Sequence, residues 1–176
     1  NSIVPTSSTL IALSLGHCLA VATMKFKKFN KKNFKINHPG GNLGAQLKTV
    51  EDLMIKGTGI PFINENSDMK NALNLITKKK LGVLIAINRR KLTTGIITDG
   101  QIRRSSQKNI NLKNLLVKNV MTKNPIGVDK DTLASKGLSI MSEKKITSLC
   151  VYKKKNRKKT IGLLHIHHII SDANIH

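Results

Sequence analysis

Apolar residues dominate one long segment near the beginning of the chain. Residues 10–24 are mostly apolar and are interrupted chiefly by Ser14, Gly16 and His17. This stretch is shorter than the about 20 apolar residues that a membrane-spanning helix needs. No basic residue precedes it, as one would in a secretion signal. We therefore expect a buried helix and no association with a membrane.

From residue 50 onward, short apolar segments recur at a constant spacing. Residues 50–54 match residues 117–121, and residues 95–102 match residues 162–169, each pair lying 67 positions apart. A helix-like segment between them recurs at a spacing of 65. An internal repeat of this length indicates two copies of one supersecondary unit.

Each copy has the same predicted order of helix, strand, polar turn, strand and closing helix. One copy of about 60 residues buries too little surface to fold alone. We expect the copies to pack sheet against sheet about a pseudo-twofold axis, with a cleft between them, in an α/β (α+β) fold. The predicted helices begin near Ser67 and Asp131, the first strands span residues 82–87 and 148–152, and the second strands begin near Gly95 and Gly162.

The chain is strongly basic, with 31 Lys and Arg against nine Asp and Glu and a net charge of +22. Such an excess is typical of proteins that bind nucleic acid or anionic membranes. Here the lysines are spread from Lys25 to Lys159, together with abundant Ile and Asn. This distribution favours a general compositional bias, so we predict no specific nucleic-acid partner.

Cysteine and histidine spacing give little support for a metal centre. Cys18 and Cys150 stand far apart, which argues against a disulfide framework or a structural zinc site and fits a reducing cytoplasm. His165, His167 and His168 cluster at a predicted strand-to-helix turn with few further ligands nearby. We therefore predict neither a metal ion nor another cofactor.

The motifs of the repeat resemble those of the CBS domain, which usually occurs as a pair. The leading Val-x-x-Leu/Val-Met at residues 50–54 and 117–121 and the closing Gly-Ile-Ile-Thr-Asp at residues 95–99 carry the resemblance. It implies domain boundaries of 49–109 and 113–176. It also implies an effector in the cleft, in the form of a nucleotide or a sugar nucleotide.

Two further motifs narrow the resemblance. Pro-Thr-Ser-Ser-Thr at residues 5–9 and His-Pro-Gly-Gly at residues 38–41 precede the repeat. This order resembles the KpsF/GutQ family of D-arabinose 5-phosphate isomerases, in which a sugar isomerase (SIS) domain precedes a CBS pair. Residues 1–48 would then be the C-terminal remnant of a SIS domain. The resemblance implies a cytoplasmic homotetramer that interconverts D-ribulose 5-phosphate and D-arabinose 5-phosphate for 3-deoxy-D-manno-octulosonate and lipopolysaccharide synthesis.

The family resemblance also implies site residues. His38 is the candidate catalytic residue, because a histidine can move protons near neutral pH. Residues 1–49 contain no Asp or Glu, so the enolising base must come from elsewhere, and we expect this chain alone to be inactive. The candidate substrate-binding residues are Thr6, Ser7, Ser8, Gly40 and Gly41, and the hydroxyl side chains could instead cap a helix.

In the CBS cleft the resemblance implies a Thr for phosphate and an Asp, three residues later, for ribose hydroxyls. Thr98 is present, but Gln101 and His168 stand at the two Asp positions and His165 at the second Thr position, which counts against adenosine. The further candidate ligand contacts are Asn66, Arg103 and Asn119.

Two other function classes stay open. A stand-alone CBS ligand sensor would need no isomerase domain, and a gene that encodes no SIS domain would favour it. A nucleic-acid-binding protein would use the basic and aromatic residues 25–35 and would show a steep dependence of affinity on salt.

Overall fold

The computed structural model describes residues 5–30, 33–34, 47–107, 112–154, 156 and 158–173. The chain forms two compact units, residues 1–44 and residues 45–176. The fold confirms the α/β class and the tandem arrangement of the repeat.

The first unit contains helix α1, Thr6–Phe26. None of its residues is buried, and Phe26 is 90% exposed, so the expectation of a buried helix is wrong for the described part of the chain. Apolar side chains surround α1 on all sides, so only a large protein core or a membrane could cover the whole helix. The described residues of the first unit are too few to form such a core, which is why the helix is exposed. By length and composition alone, α1 is also apolar enough to cross a membrane.

The start of α1 differs from the expected hydroxyl cap. Pro5 occupies the N-cap position, and no side chain caps the helix there. The Thr9 hydroxyl donates to the Pro5 carbonyl instead. Thr6, Ser7 and Ser8 are exposed on the first turn, so none of them has the predicted capping role.

The second unit contains two small sheets. The first has the strand order β1-β2-β3-β4 and the second has the order β5-β6-β7. In each sheet the first two strands in that order are parallel and the next pair is antiparallel. The strands are β1 (Phe62–Asn64), β2 (Val83–Ile87), β3 (Thr93–Thr98), β4 (Thr122–Lys123), β5 (Gly127–Asp129), β6 (Ser148–Tyr152) and β7 (Gly162–His165).

Helices follow the predicted order in both repeats. The long helix of each copy precedes the central strand, and the closing helix follows directly on the last strand of that copy. Two short helices, one at the start of each copy, were not predicted. The helices are α2 (Val50–Leu53), α3 (Met69–Lys79), α4 (Asp99–Ser106), α5 (Val117–Val120), α6 (Ala134–Lys144) and α7 (Ile166–Ala173).

Strand β2 is buried on both faces, because a helix covers one face and the other repeat covers the opposite face. Leu84 and Ala86 lie in the core under α3, whereas Val83 and Ile85 pack against the other repeat. Strand β6 repeats this alternation, with Cys150 and Tyr152 facing the other repeat. The two sheets therefore pack face to face through an apolar cluster that is separate from the two helix-covered cores, as the sequence predicted.

The two repeats exchange their leading segments. Val117, from the second copy, is buried in the core of the first copy, and Val50, from the first copy, is buried in the core of the second. The backbone bridge between Thr49 and Leu133 holds one segment, and the equivalent bridge between Asp68 and Leu116 holds the other. Each repeat therefore needs its partner to complete its core.

The exchanged segments also extend the partner's sheet. Strand β4, from the second copy, pairs antiparallel with β3 of the first. In the same way, the Ile55 and Leu163 backbones exchange two hydrogen bonds of 2.9 and 3.1 Å. These pairings are related by the 67-residue spacing of the repeat.

Two Gly–Met contacts explain why the motifs of the repeat have these residues. A Cβ atom on Gly95 would lie within 3.0 Å of the Met121 side chain, and one on Gly162 would lie equally close to that of Met54. Each methionine belongs to the exchanged segment and crosses the strand at its glycine. Glycine is therefore needed here for close packing, because a larger side chain would displace the methionine.

Residues Thr93 and Thr160 mark the pseudo-twofold axis. They are 67 positions apart, and their hydroxyl oxygens lie 2.7 Å from each other. The Thr93 N–H donates to the Lys158 carbonyl over 2.8 Å, which joins the two hairpins.

Candidate ligand-binding cleft

A cleft with a volume of about 670 Å³ lies between the two repeats. Both copies contribute the loop before the central strand and the end of the last strand. The leading segment of the second copy closes one side, around β4. The residues that line the cleft are Lys80, Leu81, Gly82, Ile96, Thr98, Asp99, Gly100, Gln101, Arg104, Thr122, Asn124, Pro125, Ile126, Lys145, Ile146, Thr147, Ser148, His165 and His167.

Thr98 and Gln101 meet at the junction of β3 and α4. The Gln101 Oε1 atom accepts hydrogen bonds from the Thr98 N–H at 2.6 Å and from the Thr98 hydroxyl at 3.2 Å. The Gln101 Nε2 atom donates to the Thr122 hydroxyl. The glutamine therefore caps α4 and ties it to the leading segment of the other repeat. Both predicted residues line the cleft, but the side-chain amide of Gln101 is already bonded at both ends.

His165 takes the place of Thr98 in the second repeat and is buried. Its Nδ1 atom accepts from the His167 N–H at 3.4 Å, and the two imidazole centroids lie 5.1 Å apart. Burial lowers the pKa of His165, and the nearby His167 and His168 lower it further. We therefore expect a neutral imidazole at the wall of the cleft at neutral pH.

Positive charge dominates the cleft. Lys80, Lys145 and Arg104 line it, whereas Asp99 is the one carboxylate among the described lining residues. The ion pairs found among the described residues involve other lysines, namely Lys48, Lys130 and Lys144. The cleft is therefore suited to an anionic ligand.

Three predicted contacts lie away from the described lining of the cleft. Asn66 accepts a hydrogen bond from the Lys118 ammonium at 3.1 Å. Asn119 lies inside the short helix α5, and its Oδ1 atom accepts from the Leu116 N–H at 3.2 Å. Arg103 is exposed on α4, one residue before the cleft-lining Arg104. Ligand roles for these three residues stay predictions.

Several other predicted residues lie in the first unit. His38, Gly40 and Gly41 fall outside the described residues. Among the residues that the structure does describe, no group of three or more His, Cys, Asp or Glu side chains is placed to hold a metal ion.

Comparison with known proteins identifies the repeated unit. The CBS domain pattern matches residues 50–108 and 117–173. The chain belongs to the CBS domain family. The cleft described above is therefore the cleft of a CBS pair.

Curated relatives extend the similarity beyond the CBS pair. The chain is 35% identical to the arabinose 5-phosphate isomerase KdsD of Yersinia pestis and 34% identical to that of Escherichia coli strain K12, each over 167 residues. These matches cover 94% of the chain and 50% of each relative, so the chain spans about half the length of the curated relatives it matches. It is homologous to their C-terminal half. A protein of Rickettsia prowazekii is similar at 34% identity over 95% of the chain and 51% of its own length.

Solved structures support the fold of the CBS pair. CBSX2 in complex with AMP has a TM-score of 0.62 at 24% identity and covers 72% of this chain and 96% of its own. A CBS domain pair in complex with 5′-methylthioadenosine and S-adenosyl-L-methionine has a TM-score of 0.64 at 19% identity, covering 73% of this chain and 97% of its own. At these identities the likeness concerns the fold.

Proposed function

We propose that this chain is the C-terminal part of an aldose–ketose isomerase that interconverts D-ribulose 5-phosphate and D-arabinose 5-phosphate. The observation that carries the proposal is the similarity to KdsD, which extends over 94% of the chain and therefore includes most of the first unit as well as the CBS pair. The product would feed synthesis of 3-deoxy-D-manno-octulosonate and lipopolysaccharide in the cytoplasm. The enzyme would act as a homotetramer.

In this proposal the first unit completes an active site whose other parts lie in the rest of the SIS domain. His38 would transfer a proton during ring opening or enolisation, and Gly40 and Gly41 would let the sugar phosphate approach the backbone. Thr6, Ser7 and Ser8 would contact the substrate from the first turn of α1. The lack of carboxylates in residues 1–49 leaves the enolising base to the remaining domain, so the chain alone would not catalyse the reaction.

The exposure of α1 supports this arrangement. The apolar side chains of the helix would be covered by the remainder of the SIS domain in the longer protein. The large apolar side chains exposed on it are Leu10, Ile11, Leu13, Leu15, Leu19, Val21, Met24 and Phe26.

The deciding experiment uses the full-length gene product. Conversion of D-ribulose 5-phosphate to D-arabinose 5-phosphate should be measured for the unmodified enzyme, for His38→Ala and for His176→Ala as a matched control. We expect His38→Ala to lose at least about a hundredfold in kcat while circular dichroism shows a folded protein, and the control to keep its activity. A gene product without isomerase activity would refute the proposal and leave a stand-alone CBS ligand sensor.

We further propose that the CBS pair is the regulatory module of this enzyme and binds a phosphorylated effector, such as a nucleotide or sugar nucleotide. The cleft is formed wholly within residues 45–176, carries excess positive charge and has Thr98 at its edge. CBS pairs of the same fold were solved with AMP and with S-adenosyl-L-methionine. The test is whether an effector that binds the cleft changes kcat or KM of the full-length enzyme.

A further inference from the structure

The two lysines that line the cleft have an uncommon backbone conformation. Lys80 directly follows helix α3 and Lys145 directly follows helix α6, and both are left-handed, with φ of 54° and 52°. Helices that end in this way usually have glycine at this position, because a side chain is disfavoured there. Both copies of the repeat nevertheless have lysine, and both lysines lie in the same cleft.

Each left-handed lysine stands directly before the loop residues that line the cleft. In each repeat the chain leaves the helix at the lysine and enters the loop before the central strand, β2 or β6. The 65-residue spacing relates Lys80 to Lys145, so each repeat contributes one lysine to the lining of the cleft.

Carboxylate acceptors for a ribose diol are scarce among the described residues that line the cleft. The Gln101 amide is bonded to Thr98 and Thr122. Asp99 is the one carboxylate of the described lining, and it lies against Gly82, because a Cβ atom there would meet the Asp99 Oδ2 atom at 2.7 Å. Arg104 adds a third positive charge. Three positive side chains against one carboxylate therefore favour a ligand with several negative charges.

We propose that the cleft binds a small ligand with at least two phosphate groups, one held by Lys80 and the other by Lys145. Arg104 adds a third charged contact. This inference rests on the proposed function of the CBS pair as an effector-binding module and names the ligand class that the module selects. Inorganic pyrophosphate and nucleoside diphosphates share this chemistry.

Calorimetric titration of the 176-residue chain tests the ligand class. Because one charged contact corresponds to about a tenfold change in affinity, we expect pyrophosphate to bind about tenfold more tightly than orthophosphate, and ADP about tenfold more tightly than AMP. We expect 2′,3′-dideoxy-ADP to bind within about twofold of ADP. Comparison of pyrophosphate with ADP shows whether the nucleoside adds affinity.

Variants test the role of the two lysines. Lys80→Gln and Lys145→Gln should each weaken pyrophosphate binding about tenfold. Lys78→Gln is the matched control, since Lys78 is exposed on α3 and outside the described lining but its change removes the same charge. An equal loss in the control would show that binding reflects only the overall charge, and would overturn the proposal.

Glycine substitutions separate binding from folding. Lys80→Gly and Lys145→Gly remove the ammonium group and relieve the left-handed conformation, so we expect each to raise Tm by about 3 °C while pyrophosphate binding falls. A glycine variant that keeps full affinity would overturn the proposal.

The outcomes also separate this inference from the proposed function. If adenosine, AMP and ADP bind equally well, the cleft is still an effector site, but the inference that it selects a ligand with two phosphate groups is wrong. If no phosphorylated ligand binds the chain or alters the full-length isomerase, the regulatory proposal fails as well.

Discussion

Truncating Val50 should destabilise the second repeat, although this residue belongs to the sequence of the first. Val50 is 0% exposed and lies in the core formed by β5, β6, β7 and α6. Val117, also 0% exposed, occupies the equivalent place in the core of the first repeat. The exchanged leading segments therefore predict that each substitution acts on the other copy.

The structure sets the size of the effect. Val50→Ala removes two buried carbon groups, which contribute about 0.8 kcal/mol each. The residual cavity of roughly 40 Å³ costs about 1 kcal/mol more, at about 24 cal/mol per Å³. We therefore expect the free energy of unfolding to fall by about 2 to 3 kcal/mol, as measured by urea denaturation.

Hydrogen exchange locates the effect. In Val50→Ala, amides of β5, β6 and β7 should exchange faster, whereas those of β1 and β2 should change less. Val128→Ala is the matched control because Val128 lies in the same core but in the sequence of the second repeat, and its exchange map should be similar. In Val117→Ala, amides of β1 and β2 should exchange faster, whereas those of β5, β6 and β7 should change less. Faster exchange confined to β1 and β2 in Val50→Ala, or a loss below about 0.5 kcal/mol, would refute the exchange of leading segments.

Three further predictions concern single positions in the CBS pair. Gly95→Ala should lower the free energy of unfolding in urea by about 2 kcal/mol, because the new Cβ displaces Met121; unchanged stability would contradict this contact. Because the pKa of His165 is lowered by burial, the unfolded state binds its proton more readily. Stability should therefore fall as pH drops below the ordinary histidine pKa of about 6.5, and His165→Gln should reduce the loss of Tm between pH 8 and pH 5; an identical loss would count against His165 as its source. Burial raises the pKa of the Cys150 thiol to about 11, whereas Cys18 is exposed, so a thiol reagent at pH 8 should modify one cysteine of the native chain and both in guanidinium chloride. Rapid modification of both in the native chain would contradict the burial of Cys150.

The sequence repeat was sufficient to predict strands β2, β3, β6 and β7 and the long and closing helices, but not the short strands β1, β4 and β5. The 67-residue spacing located the closing strands β3 and β7, and the apolar runs located β2 and β6. The exchange of the leading segments could not be predicted, because the Val-x-x-Leu/Val-Met pattern is the same whichever sheet the segment joins. The Gly95–Met121 and Gly162–Met54 contacts in space show which strand each methionine crosses.

The cleft was predicted in part. Thr98 and Gln101 follow from the motif at the end of β3, and the structure places both at the cleft. Lys80 and Lys145 were missed as site residues, since they stand at left-handed helix ends, where sequence patterns lead one to expect glycine. The signal in the sequence was that these two lysines occupy equivalent positions of the two copies, 65 residues apart.

The covalent link between two similar halves removes a constraint that identical subunits must obey. In a twofold dimer of one chain, every substitution near the axis appears twice and both halves of a shared cleft stay the same. Here Thr93 and Thr160 still meet as such equivalents would, yet Thr98 and His165 differ on opposite walls. A fused pair can therefore hold a ligand whose two ends are chemically unlike, which a symmetric assembly would bind in two competing orientations.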